Sequence, residues 1–88
     1  MKLKEGFVLR PLGTEYIVLG EGLAQVDFNK MVTLNETAGY LWKEVEGKEF
    51  TAETLKTLLL DRYDVSEEIA AKDAEAIAAK WIEAGIAE

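Results

Sequence analysis

The 88 residues contain no cysteine and no histidine. Every Cys–His or Ser–His catalytic arrangement is therefore excluded, as are zinc sites of the usual nitrogen and sulfur kind. Disulfides are excluded too, which fits a reducing compartment. There is one serine, Ser66, and it stands where a helix cap is needed. No glycine-rich phosphate loop occurs; Gly20-Glu21-Gly22 lacks a following helix and reads as a turn. No apolar run approaches the length of a membrane span, and Met1 to Gly6 is not followed by the apolar core of a signal peptide. The expected location is the cytoplasm.

Basic charge is also scarce. The formal net charge is −7, with five basic and six acidic groups in residues 1–44 and five against eleven in residues 45–88. A protein that neutralises phosphates needs a basic face, and this chain has no Lys/Arg cluster. The carboxylates Asp61, Asp64, Glu67 and Glu68 lie close in sequence. They lack the alternating ligands and bend glycine of a Ca²⁺ loop and read as solvated helix ends. No cofactor or metal is expected.

What is present is a change of period. Phe7 to Arg10 and Glu15 to Leu19 are rich in β-branched and aromatic residues, and Gly13-Thr14 between them suits a hairpin turn. Pro11 has no N–H to give to a ladder and points to an edge or a strand end. Residues 24–34 contain further strand: Ala24 to Phe28 alternates weakly, Asn29-Lys30 is a turn candidate, and Met31 to Leu34 follows. One bent strand and a tight hairpin both fit.

At Asn35 the spacing becomes helical. Asn35 is well chosen as an N-cap, and Glu36 puts negative charge at the positive end of the helix dipole. Ala38, Leu41, Trp42 and Val45 share one face of a helix over residues 36–45. Gly39 costs about 1 kcal/mol against Ala in such a helix, which close packing against a neighbour would explain. Thr51 caps a second helix, about Ala52 to Tyr63, with Leu55, Leu58 and Leu59 inward. Asp64 or Ser66 caps a third, about Glu67 to Ala84, whose buried stripe is Ala70, Ala74, Ile77, Ala78 and Trp81. Gly85 ends it and lets Ile86 fold back on the core. Trp42 and Trp81 read as core; Tyr40, off the main stripe, is a better candidate for exposure. The whole is one domain, 1–88, of the α+β class: winged-helix-like, with three or four short N-terminal strands followed by three α-helices.

The run Val32-Thr33-Leu34-Asn35-Glu36-Thr37-Ala38, then Leu41-Trp42, then Gly47, resembles the signature of the PqqD family. Asp73, Ile77, Trp81 and Gly85-Ile86 continue the resemblance to the end of the chain. The departures are extra length between residues 20 and 31, an alanine-rich third helix, and Ile86 in place of Leu. The resemblance implies a peptide chaperone, or RiPP recognition element, and not an enzyme. Such a domain holds the leader of a ribosomally made precursor peptide and delivers it to a separate modifying enzyme, often a radical SAM protein. In the family the leader adds as a strand to the sheet edge and lies against the third helix. Carried over, the edge is Met31, Val32, Thr33 and Leu34, or the preceding Ala24 to Phe28. The helix wall is Asp73, Ala76, Ile77 and Lys80. A monomer or weak homodimer is expected, the homodimer through an unpaired strand edge. A winged-helix DNA binder or a general protein–protein adaptor are the alternatives, and the acidic helical half speaks against the first.

Overall fold

The computed structural model describes residues 1–20 and 31–88. The expected Gly20-Glu21-Gly22 turn, the Ala24 to Phe28 strand and the Asn29-Lys30 turn involve residues outside that set. Three strands precede three helices: β1 (Phe7–Leu12), β2 (Glu15–Gly20), β3 (Met31–Leu34), α1 (Glu36–Val45), α2 (Ala52–Arg62) and α3 (Glu67–Glu83). The sheet is antiparallel in the order β1-β2-β3. The fold is α+β, and the helix boundaries fall within two residues of those expected from periodicity.

Each helix starts on a side-chain cap. Asn35 Oδ1 accepts the Ala38 amide at 2.8 Å, Thr51 and Thr54 form a reciprocal capping box, and Ser66 Oγ accepts the Ile69 amide at 3.2 Å. Ser66, not Asp64, is therefore the cap of α3. That helix ends in a Schellman motif. Gly85 has φ 78°, its N–H reaches Ile82 O at 3.0 Å, and the Ile86 N–H reaches Trp81 O at 3.0 Å. Ile86 is thereby turned inward and fully buried.

The core lies between the inner face of the sheet and the three helices. Val18, Leu34, Leu41, Trp42, Val45, Leu55, Leu59 and Trp81 are all at most 3% exposed. Trp42 and Trp81 meet edge to face at 5.5 Å, and Phe50 meets Trp81 at 6.1 Å. The Trp42 indole N–H donates to Glu46 at 2.9 Å. The alanine stripe Ala70, Ala74 and Ala78 is buried, so α3 can approach α2 closely. Ile77 departs from expectation: it is half-buried, at the margin of the core. Gly39 lies directly against the Tyr16 ring, the close packing that its presence in a helix suggested.

The first residues were not legible as structure. Met1 to Lys4 run between the α1–α2 loop and the chain's last residues. Phe50 N–H donates to Met1 O at 2.7 Å, Lys2 and Glu88 exchange bonds of 2.7 and 2.8 Å, and Lys4 N–H donates to Ile86 O at 3.0 Å.

Candidate functional site

The register of the sheet determines which backbone groups are free. Leu12 and Glu15 close a two-residue hairpin over Gly13-Thr14, so they are a hydrogen-bonded pair. Gly13, at φ 65°, supplies the positive φ that a type II′ turn needs at its first central residue. Pairs alternate along an antiparallel ladder. Pro11, opposite Tyr16, therefore falls in a non-hydrogen-bonded pair, where its missing N–H costs the sheet nothing.

The same alternation carries across β2. Residues 15, 17 and 19 bond to β1, so Tyr16 and Val18 bond to β3, where they face Leu34 and Val32. Val32 and Leu34 thus direct their N–H and C=O groups into the sheet. Met31 and Thr33 direct theirs outward, and among the described residues no strand pairs with them. Side chains follow the reverse logic: Val32 and Leu34 share the inner face with Val18, while Met31 and Thr33 are exposed.

Where β3 hands over to α1, the chain faces the middle of α3 across an open depression of about 260 Å³. Asn35 and Thr37 line one side, and Asp73, Ala76 and Ile77 the other. Ile77 is half-buried, Ala76 exposed, and Asp73 is the one charged residue in the lining among the described residues. Among the described residues Asp73 makes no salt bridge. Lys80 lies two turns further along α3, exposed and outside this lining. The structure therefore brings Asp73, Ala76 and Ile77 together at the end of β3, and leaves Lys80 apart. Asn35 and Thr37 were not singled out as site residues from the sequence. The signal was available: a cap between an edge strand and a helix faces whatever that strand's end faces.

A second depression, of about 390 Å³, lies beside the other edge and is lined by Phe7, Val8, Leu9, Arg10, Lys43 and Glu46. Its helix-borne charges are committed elsewhere. Lys43 Nζ donates to the Tyr16 hydroxyl at 2.9 Å and lies 4.4 Å from that ring's centre, and Glu46 holds the Trp42 indole. Both depressions are open, and that beside β3 is smaller than the roughly 300–1,000 Å³ typical of small-molecule pockets. Among the described residues no group of three or more His, Cys, Asp or Glu side chains could hold a metal ion. No helix among them is long and apolar enough to cross a membrane.

Among the described residues, the outer edge of β3 is unpaired, and the recess that begins where β3 ends reaches the middle of α3 in an α+β domain of three strands and three helices. The sequence matches the family model described as Coenzyme PQQ synthesis protein D (PqqD) over residues 6–87. The chain belongs to the PqqD family. A search of the curated proteins finds no match. Among solved structures the fold is similar to that of TbiB1, in the structure "TbiB1 in Complex with the TbiA(beta) Leader Peptide". The TM-score is 0.77 at 17% identity, and the superposition covers 100% of this chain and 95% of that one.

Proposed function

We propose that this domain is a non-catalytic peptide-binding module. It holds the leader of a ribosomally made precursor peptide as an added strand on β3 and presents it to a separate modifying enzyme, such as a radical SAM protein. The observation that carries this reading is the outward-facing backbone of Met31 and Thr33, with which no strand pairs among the described residues, leading into the recess of Asn35, Thr37, Asp73, Ala76 and Ile77 at the end of β3. Membership of the PqqD family supports it, as does the likeness in fold to a protein solved with a leader peptide bound.

Met31 and Thr33, whose outward N–H and C=O groups no strand takes among the described residues, offer four hydrogen bonds to a guest strand. At a net of about 1 kcal/mol each they supply about 4 kcal/mol. Micromolar binding requires about 8 kcal/mol. The remainder must come from guest side chains on the inner face of the sheet, those opposite Val32 and Leu34. Backbone bonds give tolerance of sequence, and these inward seats give selectivity.

The test is an NMR titration with a synthetic leader from a precursor encoded beside this gene. The amides of Met31 and Thr33 become protected from hydrogen exchange on binding, and Thr33→Pro weakens binding by about tenfold or more while leaving the internal ladder intact. No shifts at high-micromolar leader, or protection confined to another surface, would overturn the reading.

A further inference from the structure

We infer that the depression at the end of β3 selects a cationic side chain in the guest peptide, with Asp73 as its counter-charge. The inference rests on the strand-addition reading above and names what that site prefers. Its observation is separate: among the described residues, one carboxylate, without a salt bridge, lines a recess otherwise made of Ile77, Ala76, Asn35 and Thr37.

The chemistry of the lining suits a long cation. Ala76 and Ile77 give apolar surface for an aliphatic stem, as lysine and arginine stems require. Asp73 receives the charged head. The Thr37 hydroxyl can accept a further N–H. The Asn35 side-chain oxygen already accepts the Ala38 amide, which fixes the position of that wall. An acidic guest side chain would meet Asp73 in a chain of net charge −7, and an apolar one would leave the carboxylate to be covered without a partner.

Register fixes where the cation falls. Guest residues opposite Val32 and Leu34 turn inward, and side chains on one face of a strand recur at every second position. The residue opposite Leu34 is level with the start of α1 and hence with the recess. The residue opposite Val32 comes two positions away and has no charged group of the lining beside it. The preferred guest segment is therefore an apolar residue and a lysine or arginine separated by one position. Nothing in this requires a particular direction of the guest strand.

The experiment is a selection of short linear peptides from a random display library on the full chain. Binding of selected peptides is then measured by fluorescence anisotropy. Wild type is expected to enrich the apolar–spacer–cation pattern. Asp73→Asn should weaken those peptides about two- to fivefold, the range of a partly exposed ion pair, and flatten their salt dependence. Asp73→Lys should move the preference at that position to Glu or Asp. Asp73 is exposed and makes no ion pair, so both variants keep the fold, checked by their thermal unfolding. Peptides that lose binding in Thr33→Pro but show no cation preference, or no response to Asp73→Asn, would overturn this inference and leave strand addition standing. Peptides indifferent to Thr33→Pro, or no binders at all, would overturn both.

Discussion

Gly39 sits in the interior of α1, where alanine would ordinarily stabilise the helix by about 1 kcal/mol. Here the sign should reverse. A Cβ built on Gly39 falls 2.7 Å from Tyr16 Cε2 and 2.9 Å from Cγ, and closer still to Cδ2. The ring has little freedom to yield. Tyr16 is paired with Pro11 on one side and Leu34 on the other, and its hydroxyl and face are both engaged by Lys43. Forcing a methyl into a packed site costs about 1–3 kcal/mol. With the propensity gain subtracted, and overlap this severe placing the cost near the top of that range, Gly39→Ala should destabilise the domain by about 1–2 kcal/mol. For a domain of this size that lowers Tm by about 4–16 °C. The assay is urea and thermal unfolding followed by far-UV circular dichroism, in a cycle with Tyr16→Ala. In the Tyr16→Ala background the same glycine substitution should become stabilising by about 1 kcal/mol. If Gly39→Ala stabilises the wild-type chain, or if its effect is the same in both backgrounds, the contact with Tyr16 is not what keeps a glycine there.

Two further predictions concern the ends of the site and the α1–α2 contact. Asn35→Ala removes the bond to the Ala38 amide and should cost about 1 kcal/mol of stability, read as a lower urea midpoint with an unchanged slope; a neutral result would mean water replaces the cap. The Tyr40 phenol is held above its ordinary value of 10.0, first by burial and then by the Glu44 carboxylate, with Arg62 acting the other way. The unfolded chain therefore releases this proton first, and stability present below pH 10 should fall as pH rises past it. Tyr40→Phe should remove that part of the fall in the urea midpoint, and a midpoint that rises in this range would contradict the assignment.

How much was legible in the sequence differs by the kind of interaction. Asn35, Thr51 and Ser66 announce their helices because a cap is a local bond, closed within three residues. Gly85 and Ile86 announce the Schellman end for the same reason. The alanine stripe and the two tryptophans follow from the 3.6-residue period. Met1 to Lys4 gave no sign, because their bonds to Phe50, Ile86 and Glu88 join backbone to distant backbone and leave no mark on side-chain choice. The candidate site lies between these cases. Met31 to Leu34 could be placed as a strand, and Asp73 and Ile77 on a helix face, but which strand groups point outward needs the register set by Leu12 and Glu15. Lys80 was grouped with Asp73 by the family resemblance, and it lies outside the lining of the recess that holds Asp73. Asn35 was read for its backbone duty alone, and so its place in the recess was missed.

The pairing of Lys2 with Glu88 also bears on how unfolding can be watched. Residues so far apart along the chain touch only while the domain is folded, so a donor dye at one and an acceptor at the other would report loss of the fold as loss of energy transfer, without a label on any strand or helix of the recess.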